Sequence, residues 1–366
     1  MSITGMTSMR ESPPAHSLTR KENAVQKIIG WDIGGAHVKA ARIEAGRVIE
    51  VRQVPCPLWQ GAHLLAPVLE SLRSEFGPAD LHAATMTAEL VDVFPNRREG
   101  VPAVAAILAR ALPAQKLLLY AGRHGFVAPE QAASLAADIA SANWHASAAL
   151  AARYGDGLFV DIGSTTTDIV PLLNGAVHAR ATTDGDRLGC GELVYTGMIR
   201  GYIMALASRA PFAGAWTAIA NEYFATSADV HRILGTLEEN ADQMDTADGG
   251  PKTVDASRAR LARMIGRDSV DAANADWQRL AEWFAEQQLR QVHDGALLVL
   301  SGAGLPADAP VIAAGVGTSI VHRLADRLGR RCVGFGSLFG AEAVDWSDAC
   351  APAVAVALLA VDRPLP

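Results

Sequence analysis

IIGWDIGG at residues 28–35 and LFVDIGSTTTD at residues 158–168 open two stretches of the same design. Each is a short apolar run that closes on Asp-Ile-Gly, the pattern of a buried strand entering a tight turn. After the first come HVKAARIE (37–44), an Ala-Gly turn and RVIEVRQV (47–54). After the second come TTDIVPLLN (166–174), Gly175 and AVHARAT (176–182). Both successions read as three-strand antiparallel meanders. The repeat lies at the level of the fold and is too diverged for a solenoid array.

Working outward from the two meanders gives the domain plan. A helical stretch is expected from Trp59 to Phe76, a strand at LHAATM (81–86), a helix at VPAVAAILARAL (101–112) and a strand at KLLLYAG (116–122). Alanine-rich helical sequence then runs to about Tyr154, and the pattern restarts near Asp156. The expected organisation is a loose tail at 1–27, a first domain at 28–156, a second at 157–345 and a C-terminal segment at 346–366. The second domain carries a mostly helical insertion at about 192–300, with a polar loop at 240–253 and its longest helical pattern from Trp277 to Leu300. VIAAGVG (311–317) then forms a strand and glycine turn leading into the helix SIVHRLADRL (319–328).

Composition excludes several classes. The 366 residues are 50% hydrophobic and 19% charged, which is not the make-up of a disordered chain. A net charge of −7 gives no general basic footprint for nucleic acid. The four cysteines, Cys56, Cys190, Cys332 and Cys350, form no CxxC or Cys/His cluster, which speaks against a zinc site or a disulfide framework. Scattered cysteines suit a reducing compartment. The tail lacks the apolar core of a signal peptide. The apolar run at 351–361 is shorter than the roughly 20 residues that span a bilayer and reads as a last helix or strand packed on the core. The expectation is a cytoplasmic protein that acts on small molecules, with neither nucleic acid nor membrane as partner.

Three glycine turns carry the chemistry. Asp32-Ile33-Gly34-Gly35-Ala36-His37 and Asp161-Ile162-Gly163-Ser164-Thr165-Thr166-Thr167-Asp168 each place an acidic residue at a strand end before small residues. Without a Cβ, backbone N–H groups can approach an anion, and the carboxylate can hold Mg²⁺ directly or through water. A single such turn is weak, since glycine hairpins are common. Two copies in equivalent places would face each other across a cleft. The third turn, Ala313-Ala314-Gly315-Val316-Gly317-Thr318, follows a strand and precedes a helix, so it suits either a ligand near a helix N-terminus or plain strand–helix packing.

These turns resemble the first phosphate, second phosphate and adenosine motifs of the actin, hexokinase and heat-shock-chaperone ATPase superfamily. The stretch TTDGDRLGCGE (182–192) resembles the loop after the second hairpin there. The resemblance implies an α/β fold: two ribonuclease H-like domains of the actin-like ATPase type with a cleft between them. More narrowly, DIGGAHVKAA, TMTAELVDVFPNRREGV, SANWHASA and VDIGSTTTDIVPLLNG resemble a branch near the hydantoinase A and oxoprolinase group. That branch is linked to tetrahydromethanopterin-dependent one-carbon metabolism and includes the methanofuran and methylofuran furan–phenol ether synthases. The implied reaction is a transfer (EC 2.5.1 type) that condenses an aminomethylfuran-methyl diphosphate with the phenol of a tyramine- or tyrosine-derived acceptor and releases diphosphate.

Residue roles follow from that chemistry. A furanylmethyl carbon ionises readily, so the main demand is stabilisation of the departing diphosphate. The expected metal ligands are Asp32 and Asp161. Gly34, Gly35, Gly163, Ser164, Thr165, Thr166, Gly189, Gly191, Gly315 and Gly317 are the expected diphosphate or nucleotide cradle. Lys39 lies on the strand face of His37 and either reaches the anion or faces solvent. Glu89 and Asp92 are the first candidates for the base that ionises the phenol; the alternative is a carboxylate meeting a helix dipole. Asn143 is expected at the substrates, with Trp144 either beside it in the pocket or anchoring two helices; Arg97, with Arg98, is expected either to meet an acidic substrate tail or to form a solvated surface pair; His37 and His124 are either ligands or bases or structural residues. Mg²⁺ is the expected cofactor; ATP is compatible but not required. The rival readings are an ATP-dependent small-molecule kinase, a hydantoinase/oxoprolinase-like enzyme, and a non-catalytic nucleotide-binding scaffold.

Overall fold

Strand β1 (Lys27–Ile33) is apolar on both faces, and every residue after Lys27 is buried. A strand of that kind belongs in the middle of a covered sheet, and β1 lies there. It pairs antiparallel with β2 (His37–Glu44), which pairs antiparallel with β3 (Arg47–Pro55). On its other side β1 runs parallel to β4 (Leu81–Met86) and β4 to β5 (Leu117–Tyr120), with β6 (Phe126–Val127) at the edge. The order is β3-β2-β1-β4-β5-β6. The computed structural model describes residues 26–113, 116–238, 240–341 and 344–361. The expected tail at 1–27 therefore falls almost wholly outside the described residues, as do residues 362–366.

The second sheet repeats the first. β7 (Gly157–Ile162) pairs antiparallel with β8 (Thr167–Leu173) and parallel with β13 (Val311–Ala314), which runs parallel to β14 (Cys332–Gly334). The expected third meander strand at 176–182 is cut short: β9 (Ala176–Val177) pairs with β8 for two residues only. The rest of that edge is taken by β10 (Leu193–Val194), which returns to pair with Asp168 and Thr167.

Helices α1 (Leu65–Phe76) and α2 (Arg97–Ala111) cover one face of the first sheet through Leu65, Leu69, Leu72, Val101, Val104 and Leu108. The stretch expected to be helical from Trp59 begins as two 3₁₀ turns, with Gly61 between them at φ 151°, and becomes α-helical only at Leu65. Helix α2 starts four residues before the expected Val101, because the Asn96 side chain caps it by accepting from the Glu99 N–H. The short helix α3 (Ala136–Ile139) and helix α4 (Asn143–Ala152) make up the alanine-rich stretch.

The two sheets are joined through a shared middle layer. Helix α11 (Ala351–Ala360) packs on β1, β2, β4 and α4, and nearly all its side chains are buried. One core cluster includes Ile28 and Ala41 of the first sheet, Phe159 and Val170 of the second, and the faces of α4 and α11. The segment at 346–366 is thus no appendage: its helix lies against the first half of the molecule. Gly30 makes this possible, since a Cβ there would stand 2.0 Å from the Ala353 carbonyl oxygen.

Helix α5 (Asp184–Cys190) precedes the insertion, which holds α6 (Ile203–Leu206), α7 (Ser227–Ile233), α8 (Val254–Arg263) and the 30-residue α9 (Asn274–Ala303). The insertion also holds a hairpin, β11 (Arg209–Phe212) with β12 (Ala215–Ala218), within a stretch expected to be mostly helical. Its own core gathers Ile203, Phe212, Val230, Leu261, Trp277 and Phe284. The other part of α9 lies on the second sheet through Leu289, Val292 and Ala296, beside α10 (Thr318–Leu328). No helix among the described residues is long and apolar enough to cross a membrane.

Candidate functional site

The two glycine turns close in the same way. Gly34 N–H donates to the His37 carbonyl at 3.0 Å, and Gly163 N–H donates to the Thr166 carbonyl at 2.9 Å. They form two walls of one cavity of about 310 Å³ between the halves of the molecule. It is lined by Asp32, Gly34, Gly35, His37 and Lys39 from the first half, by Asn143 and Trp144 from α4, and by Asp161, Gly163, Ser164, Thr165 and Thr166 from the second. Ten of the residues expected at the site from sequence thus meet in one place: Asp32, Gly34, Gly35, Lys39, Asn143, Asp161, Gly163, Ser164, Thr165 and Thr166.

Lys39 lines the cavity from β2. It lies opposite Asp32 in the β1–β2 register, with Nζ 4.0 Å from Asp32 Oδ2, and donates to the Ala349 carbonyl at 3.1 Å. Burial acts to lower its pKa, but Asp32, Cys350 and Asp161 outweigh it, and the ammonium is held charged. Burial raises Asp32 against the pull of Lys39. Burial likewise raises Asp161, to about 7, with Lys39 opposing and Asp168, Asp32 and Asp348 adding to the rise. His37 is pushed down to about 4 by burial and by Lys39, Arg200 and Lys252, so it is neutral at pH 7.

Among the described residues, Asp32 Oδ1, His37 Nε2 and Ser164 Oγ are buried without a hydrogen-bond partner. Unpaired buried polar atoms are costly, and three in one cavity mark it as built for a polar ligand. Among the described residues no group of three or more His, Cys, Asp or Glu side chains forms a metal cage. Mg²⁺ does not need one, since it keeps several waters and is commonly held by one or two carboxylates plus substrate phosphates. Asp32, with a free oxygen, and Asp161 fit that donor set.

The remaining candidates lie elsewhere. Glu89 is 1% exposed and sits behind the wall: its Oε1 accepts from Ser141 N–H at 2.9 Å and Ser141 Oγ at 3.1 Å. Burial raises it to about 7 against those hydrogen bonds and Arg97. Its surroundings make it the support of Ser141, which does line the cavity. Asp92 is exposed and lines no described cavity near the turns. Gly189 lies inside α5, and Gly191 caps that helix at φ 79° against Gly295; neither lines the cavity. Gly315 and Gly317 are required by close approach rather than lining the cavity: a Cβ on Gly315 would stand 2.2 Å from the Ile162 carbonyl oxygen and 2.3 Å from Asp161 Oδ1, and one on Gly317 would stand 2.4 Å from Ile162 Cγ2. Only Val316 between them reaches the cavity. Arg97 forms an ion pair with Asp184 across the halves, and His124 lies 3.3 Å from Asp138, outside the cavity.

Sequence reasoning passed over several lining residues. Asp168 accepts from Arg187 Nη1 at 2.8 Å, and the Arg187 guanidinium lies 3.8 Å from the Trp144 ring centre. Burial raises Asp168 while Arg187 opposes. Asp168 ends the second turn, and that position in the motif was the available signal. Tyr195, 69% exposed, and Arg200, stacked over Trp59, complete the mouth. They have no local signal. They arrive because the loop after β10 packs under the second turn, with Ile199 and Arg200 N–H donating to the Ser164 carbonyl. Gly197 permits it, since a Cβ there would be 2.6 Å from Ser164 and Thr165 backbone atoms.

Two repeated sheets, a glycine turn from each and a shared cleft define a two-domain protein of the actin-like ATPase fold. The nucleotide-free structure of acetone carboxylase matches over 91% of this chain and 70% of that one, with TM-score 0.56 and 13% identity. Residues 80–360 match the hydantoinase/oxoprolinase family model. A synthase of Methanocaldococcus jannaschii, (4-{4-[2-(gamma-L-glutamylamino)ethyl]phenoxymethyl}furan-2-yl)methanamine synthase, is 32% identical over 269 residues, covering 71% of this chain and 80% of that protein. The synthase of the same name from Methanococcus vannielii is 35% identical over 111 residues, covering 30% of this chain and 50% of that protein. The chain belongs to the hydantoinase/oxoprolinase family, in the branch of the furan–phenol ether synthases of methanofuran biosynthesis.

Proposed function

We propose that this protein is a transferase that joins an aminomethylfuran-methyl diphosphate to the phenol of a tyramine- or tyrosine-derived acceptor and releases diphosphate. The observation that carries the reading is the single cavity in which both glycine turns, Asp32, Asp161 and Lys39 converge. It rests also on the name of the relatives, whose product contains an aryl ether to a furanylmethyl carbon.

In this reaction the phenol oxygen forms a bond to the furanylmethyl carbon. The carbon–oxygen bond to diphosphate breaks, and its electron pair leaves with the diphosphate. The Gly34 and Gly163 N–H groups are spent in closing the turns, so the backbone N–H groups of Gly35, Ser164 and Thr165 would meet the departing anion, and the Lys39 ammonium offsets its charge. Asp32 and Asp161 would hold Mg²⁺, which when bound neutralises diphosphate charge. The phenol, with an unperturbed pKa near 10, needs a base. Asp92 stands outside the cavity and Glu89 behind Ser141, so we assign the phenol proton to Asp168, a lining carboxylate that burial makes a stronger base than an ordinary aspartate.

The test is turnover of the purified protein with Mg²⁺, the furan diphosphate and phenolic acceptors, with ether product and diphosphate followed together. Equal amounts of both, without ATP, are expected. Stoichiometric ATP hydrolysis with no diphosphate released from the furan substrate would overturn the proposal in favour of an ATP-dependent enzyme.

A further inference from the structure

Past Ser141 a second cavity of about 320 Å³ opens beside the first, and Ser141 and Asp184 line both. Its floor is made of small side chains around α3, among them Ala136, Ala137 and Ala140. Arg97 and Arg98, at the start of α2, stand on one side, and Asp184 of the second half on the other. Like the first cavity, it is therefore shared between the halves of the molecule.

The two arginines differ. Arg97 is committed to Asp184. Arg98 is exposed, and among the described residues it has no hydrogen-bond or ion-pair partner. A guanidinium without a partner beside a hollow is the natural contact for a carboxylate, which it can meet with two parallel N–H donors. On a chain of net charge −7 such a site is local rather than part of a basic field.

The ridge between the cavities is fixed. Ser141 is 8% exposed and has φ +51°, a left-handed conformation uncommon for a residue with a side chain. Both its N–H and its hydroxyl donate to the buried Glu89 carboxylate. Backbone held in such a conformation by surrounding contacts is concentrated at ligand sites.

We infer that the second cavity receives the amino-acid end of the phenolic acceptor. Its carboxylate meets Arg98, its ammonium meets Asp184, its stem crosses Ser141, and the phenol reaches the first cavity near Trp144. The furan partner ends in an aminomethyl cation, which an arginine pair does not favour, so the acceptor is the matching substrate. This inference rests on the proposed ether synthesis.

The experiment measures binding directly, so it does not depend on turnover. Gamma-glutamyltyramine, which bears the carboxylate, and tyramine, which lacks it, are titrated into the wild type, Arg98→Ala and Arg98→Lys by calorimetry. The wild type should prefer the carboxylate-bearing phenol by roughly tenfold, the scale of one charged hydrogen-bond pair. Arg98→Ala should abolish that ratio and Arg98→Lys retain part of it. Equal affinity of the wild type for both phenols, or a ratio that survives in Arg98→Ala, overturns the subsite. Turnover with the furan diphosphate is scored separately. A binding preference without ether product from any phenol would sink the synthase reading and leave the subsite standing.

Discussion

Asp161 is a carboxylate placed where burial and its neighbours favour the proton, with a pKa raised from 3.8 to about 7. The folded protein therefore holds this proton more tightly than the unfolded chain does. The resulting stabilisation is fully present below about pH 4 and is lost as pH rises through about 7. In the ligand-free protein, Asp161→Asn should flatten that decline, changing the stability difference between about pH 5 and about pH 8 by on the order of 1–3 kcal/mol. Denaturant unfolding at both pH values measures it, and an unchanged difference would refute the assignment. Asp168 makes a second residue-scale prediction. Asn at this position keeps an oxygen for Arg187 but cannot take the phenol proton. Asp168→Asn should lower kcat by about 10²–10⁴-fold, and because it also removes the counter-charge of the buried Arg187 it should lower the thermal midpoint; a near-wild-type kcat would remove Asp168 from the mechanism. Glu89 acts through structure instead. Glu89→Ala leaves the Ser141 N–H and hydroxyl without their buried acceptor, so it should cost about 1–3 kcal/mol of stability, read by the same unfolding experiment.

At the scale of elements, the strands were the legible part. Buried central strands such as β1 and β7 announce themselves as apolar runs closed by glycine, and their meander partners follow at once in sequence. Helix α11 was not legible in the same way. APAVAVALLA carries no amphipathic pattern because both its sides are covered, and an all-apolar run of ten residues does not distinguish helix from strand or say which sheet it meets. The answer sits instead in a distant glycine. Gly30 on β1 leaves space only for the Ala353 carbonyl and the Ala357 methyl of α11. Gly30→Ala should therefore push the helix off the sheet at a cost of about 1–3 kcal/mol. Thermal unfolding should show the shift, and a wild-type midpoint would mean that the layer gives way more easily than its geometry indicates. The glycines of the third turn teach the same lesson. Their motif resembled a ligand loop, yet Gly315 and Gly317 are required by close packing on Ile162.

At the scale of the whole molecule, the turns could be read from sequence, but their meeting could not. Asp32 and Asp161 are local motif residues, whereas Tyr195 and Arg200 reach the cleft through the path of the insertion. What the assembled cleft adds is a condition on binding. The first half supplies Asp32 and one turn, the second Asp161, Asp168, Asp184 and the other turn, while the molecule as a whole is negatively charged. A diphosphate entering alone meets Lys39 and backbone donors but also two acidic side chains whose burial already favours the proton. A divalent cation reverses the sign of that encounter. Diphosphate binding should therefore strengthen by tenfold or more when Mg²⁺ is added, and chelation should return it to the weaker value. The gain should grow as pH rises through about 7, where Asp161 ionises, which is opposite in sign to the pH trend of ligand-free stability. Asp161→Asn should lose most of the Mg²⁺-dependent gain while still binding diphosphate weakly. Calorimetric titration of diphosphate with and without Mg²⁺ at about pH 6 and about pH 8 tests all three effects together. Diphosphate affinity indifferent to Mg²⁺ at both values would mean that Lys39 and the turns hold the anion unaided and that the two aspartates serve another purpose.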